Sequence, residues 1–183
     1  MRGIAFLRAI NVGGRNVVKM DRLRALFEDQ GFTGVETFIA SGNVVFDLAA
    51  GKNTTALERS IEAMLERGLG FEVATFVRTA AEISAVAGHD PFTAAALKKA
   101  AAFNVAFLRQ APDRESVKAL NAVKTSADAF HVRRRELYWL SRARQGESKM
   151  SNAVFEKTLG QPSTVRGIDT IRRMVERYGR KGS

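Results

Sequence analysis

The sequence predicts an α+β fold: two tandem ferredoxin-like (βαββαβ) subdomains with an extra C-terminal helix. Three observations predict it. Apolar residues alternate with period two in short runs and recur at helical spacing between them. The runs come in the order strand, helix, strand, strand, helix, strand. That order restarts after residue 79, so the predicted division is 1–79 and 80–183, the second part carrying linker helices and the last helix.

The elements follow in order. Residues 3–9 alternate Ile4, Phe6 and Arg8 against Ala5, Leu7 and Ala9, a strand. A helix over 20–30 takes Asp21 as N-cap, buries Leu23, Leu26 and Phe27, and stops at Gly31. Residues 33–40 read as a strand, Ser41-Gly42-Asn43 as a tight turn, and Val44 to Asp47 as the return strand. Thr55 to Glu58 fits a capping box opening a helix that ends at Gly68, and Phe71 to Arg78 alternates again. Thr79 to Glu82 is a second capping box, and Asp90-Pro91 breaks the chain before an alanine-rich stretch to Ala100. Phe103 to Leu108 is a strand, Pro112-Asp113 opens a helix, and 130–134 with 136–141 form a hairpin tipped by Arg134-Arg135. Helix 151–159, strand 163–166 and helix 167–179 complete the chain. The second half thus echoes the first in element order, without an evident residue-level match.

Composition narrows the function classes. At 183 residues and 45% hydrophobic content the chain can bury a real core. No apolar run approaches the ~20 residues that span a bilayer, so no membrane partner is expected. Without cysteine, thiol catalysis, disulfides and cysteine metal sites are excluded, and a soluble cytoplasmic protein is the expectation. Residues 1–100 hold 12 Lys+Arg against 11 Asp+Glu, whereas 101–183 hold 17 against 8. Such a field attracts polyanions, nucleic acid first among them; a solvated arginine-rich surface is the simpler alternative.

The most distinctive stretch is Leu7 to Asn16, where a buried strand runs into a loop with adjacent glycines and cations. Gly13 and Gly14 take positive φ cheaply and can turn backbone N–H groups toward one point, with Arg8, Arg15 and Lys19 around it. In the strand order 4-1-3-2 of this topology, the loop after the first strand and the turn between the second and third share one end of the sheet. Asn11 to Asn16 and Ser41 to Asn43 are therefore expected to meet at one rim.

At these residues the chain resembles a known family. Arg8 to Asn16, then Phe38 to Phe46, then Ser148 to Asn152 continuing to Glu156 to Gly160 with Thr164, Arg166 and Thr170, resemble the bacterial domain-of-unknown-function 1697 (DUF1697) proteins. The resemblance implies two ferredoxin-like subdomains and no particular reaction. Two positions depart from the family's usual pattern: Ala9 stands where glycine is usual, and Gly167-Ile168-Asp169 replaces an Asn-Trp-Asn stretch.

Other candidate sites are weaker. The glycine pair lacks the spacing of a P-loop or a dinucleotide fingerprint. Ser148, Lys149 and Asn152 at a helix N-terminus make a second anion anchor, or an ordinary cap. His131 to Arg135 with Tyr138 and Trp139 is a basic, aromatic hairpin that lacks the RNA-recognition signature. His89 and His131 stand far apart without metal-ligand spacing, and no nucleophile elbow occurs, so no metal, cofactor or catalytic residue is indicated. The reading is a protein binding a phosphate-bearing or other anionic partner, nucleic acid or a nucleotide-like metabolite. Its site residues are Arg8, Asn11, Gly13, Gly14, Arg15, Asn16, Ser41, Gly42 and Asn43, with Ser148, Lys149 and Asn152 as a second anchor. Two alternatives stay open. One is an enzyme on a small anionic substrate, with Arg8 and Lys149 stabilising charge; the other is a protein-interaction module with no ligand.

Overall fold

A computed structural model describes residues 1–11, 14, 16–144 and 147–179. The chain divides into two compact units, Met1–Ser84 with Met174–Ser183, and Ala85–Arg173. The sequence placed the division at 79/80 and the whole last helix in the second part. That helix instead spans the second boundary, its last residues counting with the first unit.

The first unit runs β1 (Arg2–Leu7), α1 (Met20–Asp29), β2 (Glu36–Thr37), β3 (Asn43–Asp47), α2 (Thr54–Leu69), β4 (Thr75–Thr79). Helices α3 (Ala80–Ala87) and α4 (Ala94–Lys98) follow. The second unit repeats the order with β5 (Ala102–Leu108), α5 (Arg114–Val123), β6 (Asp128–Arg133), β7 (Glu136–Ser141), α6 (Asn152–Leu159) and β8 (Ser163–Gly167), and α7 (Ile168–Tyr178) closes the chain. Each unit holds a four-stranded antiparallel sheet, ordered β2-β3-β1-β4 and β6-β7-β5-β8, the ferredoxin-like arrangement. In the first, Ala5, Leu7, Val44, Phe46 and Val77 pack against Leu23 and Phe27 of α1 and Ile61 and Leu65 of α2. In the second, Ala106, Leu108, Leu137 and Trp139 pack against Leu120 of α5 and Phe155 and Leu159 of α6. No helix among the described residues is long and apolar enough to cross a membrane.

Several local expectations are corrected. Strand β1 stops at Leu7 because Ala9 turns left-handed at φ +57°. Strand β2 shrinks to Glu36–Thr37 because Gly34 (φ +58°) and Ile39 (φ +50°) break the extended run on either side. The N-cap of α1 is Lys19, without a side-chain bond, while Asp21 lies in the first turn, where its charge favours the helix dipole. Helix α2 is capped by Asn53, whose Oδ1 accepts from Thr55 N–H (2.9 Å) and Ala56 N–H (3.2 Å). It runs through Gly68 to a left-handed Gly70. Gly68 serves a close approach instead, since a Cβ there would come 2.4 Å from Leu26 Cδ2 on α1. The second capping box forms as read: Thr79 N–H donates to Glu82 Oε2 (2.7 Å) and Glu82 N–H to Thr79 Oγ1 (3.1 Å).

The strand register also exposes a residue-level repeat. Leu7 stands opposite Thr75, and Leu108 opposite Ser163. Aligned on those pairs, Ala5-Phe6-Leu7-Arg8 falls on Ala106-Phe107-Leu108-Arg109, and Arg78 on Arg166. The polar clasps repeat too. Glu62 Oε1 accepts from Thr75 N–H (2.9 Å) and Glu156 Oε1 from Ser163 N–H (2.9 Å), so α2 and α6 each hold the start of the strand that follows. Arg78 Nη1 donates to Val77 O (2.9 Å), and Arg166 Nη1 to Val165 O (2.9 Å).

Candidate functional site

The rim expected from topology forms in the first unit. Leu7 N–H donates to Gly42 O (2.8 Å) and Arg8 N–H to Ala74 O (2.9 Å), so the end of β1 is pinned on both sides. Asn11 then joins the two bends. Its Nδ2 donates to Val18 O (3.0 Å) and to Ala40 O (3.1 Å), and its Oδ1 accepts from Val18 N–H (2.8 Å). Asn16 Nδ2 returns to Ala9 O (3.2 Å). Gly42, at φ +71°, sits where a Cβ would come 3.0 Å from Ile10 Cβ, so a side chain would push the two bends apart. Buried Asn43 braces the turn from inside, its Nδ2 donating to Phe38 O (3.0 Å) and Ser41 Oγ (2.9 Å). The turn is therefore wider than Ser41-Gly42-Asn43: Phe38 N–H reaches Asn43 O (2.9 Å), and Asn43 belongs to β3.

This rim is strained where the sequence gave no warning. Of five non-glycine residues at positive φ among the described residues, Ala9, Asn11, Asn16 and Ile39 lie in these two bends. Asparagine accepts that conformation, but alanine and above all β-branched isoleucine do not, at ~1–2 kcal/mol per residue. Ile39 (41% exposed) and Val17 (74% exposed) present apolar side chains to solvent beside it. Arg8 is half-buried and Lys19 exposed, and Gly14 (φ +73°) has open space around it. Gly13 and Arg15 lie outside the described residues. The described rim residues offer side-chain amides, a hydroxyl and cations.

The second anchor belongs to the second unit and has the bonding of a cap. Ser151 Oγ accepts from Val154 N–H (3.4 Å) and Ser148 Oγ from Met150 N–H (3.0 Å). Asn152 Nδ2 donates to Ser163 O (3.0 Å) and its Oδ1 accepts from Ser163 Oγ–H (2.7 Å), a helix-to-strand clasp beside Glu156. Lys149 is exposed.

Some polar placements escaped sequence reasoning. Glu58, read as half of a capping box, is fully buried, accepts from Val77 N–H (2.8 Å) and lies 3.6 Å from Arg78 Nη1. His89 and His131, far apart in sequence, lie 5.2 Å apart between ring centroids with their planes tilted by 46°, and Tyr138 is 4.9 Å from His89. Burial, then the charges of Arg133 and His131, hold His89 below the usual imidazole range against a smaller opposing pull from Asp90. Burial and the Glu136 charge push Tyr138 up to about 12. Among the described residues no group of three or more His, Cys, Asp or Glu side chains stands together to hold a metal ion.

Fold and rim together define an α+β protein of two ferredoxin-like repeats with a clasped polar lip on the first. Residues 1–138 match the family described as "Protein of unknown function (DUF1697)", and the chain belongs to that family. The third block of resemblance, Ser148 onward, lies beyond the matched span. The conserved bacterial protein SP0830 from Streptococcus pneumoniae has a similar solved structure, with 22% identity, a TM-score of 0.71, and coverage of 96% of this chain and 97% of that one. At that identity the likeness concerns the fold. No curated protein matches the chain.

Proposed function

We propose that this protein binds a small phosphate-bearing anion at the first-unit lip, and does so in the cytoplasm, where a cysteine-free chain is at home. The observation that carries the reading is the cluster of left-handed non-glycine residues in two bends that Asn11 ties together. Backbone strain of this kind persists only where surrounding bonds over-determine it, and it concentrates at ligand clamps. Arg8 and Lys19 give the lip positive charge, and the asparagine bonds fix the loops in advance, which lowers the ordering cost of binding.

Thermal denaturation with inorganic pyrophosphate and ATP as probes tests this. The wild type is expected to gain several degrees in Tm with at least one of them. Arg8→Ala and Lys19→Ala are expected to lose that gain while keeping a cooperative transition. No shift with either probe contradicts the reading. Exposed Val17 and Ile39 favour a second reading, a protein partner seated on the same lip. Pull-down of one partner by the wild type but not by Ile39→Asp, without any phosphate effect, would support it.

A further inference from the structure

The repeat gives the second unit a lip of its own, built at the equivalent place and furnished differently. Leu108 N–H donates to Arg135 O (2.8 Å), as Leu7 N–H does to Gly42 O in the first unit. Arg135 Nη1 reaches Arg109 O (3.5 Å). The bend after β5 and the tip of the β6–β7 hairpin therefore meet, and Arg109 joins Arg133, Arg134 and Arg135 on one edge. Arg134, at φ +55°, is the remaining non-glycine residue in the left-handed region among those described. Its side chain and that of Arg133 are exposed.

Charge in this unit is one-sided. The unit Ala85–Arg173 holds 16 Lys+Arg against 8 Asp+Glu. Among the carboxylates of this unit, Glu136 is buried, Asp113 Oδ1 accepts from Ser116 N–H (2.7 Å), and Glu115 pairs with Lys118 (2.8 Å). The adjoining strand adds ring faces. Strand β6 is the sheet edge, so its outer side has no neighbouring strand within the sheet. Phe130 and Val132 pack inward on the core, leaving His131 and Arg133 on the opposite face, with Tyr138 paired across from His131. His131 is exposed.

Guanidinium groups alternating with an exposed ring on a sheet edge form the surface that single-stranded nucleic acid recognises: cations on the phosphates, a π-face for a base. We infer that the β6–β7 lip binds a single-stranded nucleic acid, with exposed Arg133 and Arg134 on the phosphate backbone and His131 stacking a base. A duplex reader would instead insert the β6–β7 ribbon tip into a groove, with no use for the His131 ring. This inference does not depend on the first lip's anion site.

The test is fluorescence anisotropy of the full chain with a fluorescein-labelled 12-nucleotide oligouridine, between 50 and 200 mM KCl. Affinity is expected to fall linearly on a log–log plot, by a slope of about 0.7 per phosphate neutralised. The double variant Arg133→Ala/Arg134→Ala is expected to reduce that slope by about 1.4 while keeping a cooperative thermal transition. His131→Ala is expected to weaken binding about five-fold or more at constant slope. Arg8→Ala is expected to bind the RNA as the wild type does, which separates this site from the first lip. The inference is overturned by any of four results: no binding at 50 mM KCl, a double variant that binds normally, a DNA duplex that binds at least as tightly, or displacement by tripolyphosphate at equal phosphate concentration.

Discussion

The two repeats share a scaffold and differ at its edges. Both end their first strand in Ala-Phe-Leu-Arg, pin that end to a hairpin carbonyl, and hold the last strand through a helix glutamate. In the first repeat the hairpin bend is closed by asparagines and left-handed residues; in the second it is closed by arginines. The buried arginines differ likewise. Arg78 faces Glu58, whereas equivalent Arg166 donates to Thr164 Oγ1 (2.8 Å), and burial lowers its guanidinium to about 10. One fold thus carries two differently furnished lips, because the strand clasps repeat while the lip side chains differ.

The largest expected effect breaks the internal contrast. Glu58→Gln removes the charge facing buried Arg78 and is expected to cost about 3–5 kcal/mol in urea denaturation. Asn152→Ala, at the matching helix position of the second repeat, is expected to cost only about 1 kcal/mol, since neutral hydrogen bonds are lost there. Equal losses would mean that the two helix–strand clasps do equivalent work.

Next comes the tie between the bends. Asn11→Ala leaves the backbone N–H and C=O of buried Val18 without their partner, along with the exposed Ala40 carbonyl, and is expected to cost about 1–3 kcal/mol. Hydrogen exchange should show the Leu7 amide losing protection while the Leu108 amide keeps it. If both amides change alike, the bends are not independently clasped.

These contrasts explain what the sequence could and could not disclose. Element order, sheet topology and the meeting of Asn11 with the Ser41-Gly42 bend follow from periodicity and turn residues, and the structure has them. The buried role of Glu58 was hidden because a glutamate three residues after a threonine also satisfies a capping pattern. Only the register that places Val77 beside it reveals its work. The left-handed turns at Ala9 and Ile39 were hidden for the opposite reason, since neither residue signals that conformation. The family's usual glycine at position 9 was the available hint. The Ala-Phe-Leu-Arg repeat was in plain view, but four residues with unlike flanks stand out only when the strands are aligned.

Smaller effects sharpen the strain argument. Ala9→Gly is expected to stabilise the fold by up to about 1 kcal/mol, because glycine occupies φ +57° without a Cβ penalty. It should also weaken any pyrophosphate-induced Tm shift by loosening the lip. A destabilised variant would mean that Ala9 is not strained. The smallest effect concerns pH. His89 is held below the ordinary imidazole value of 6.5, so its contribution is fully present above that pH and is lost as pH falls through the lowered value. His89→Gln is expected to flatten the decline of stability between pH 7 and 5, read as urea midpoints. An unchanged decline would place the acid sensitivity elsewhere.

The contrast between the lips is most directly read by amide chemical shifts of the ¹⁵N-labelled protein titrated with the 12-nucleotide oligouridine. Shifts at Arg109 and Arg133–Arg135, with Leu7–Asn11 and Ser41–Asn43 unmoved, are the predicted result. Shifts confined to the first lip, or equal at both, would contradict it.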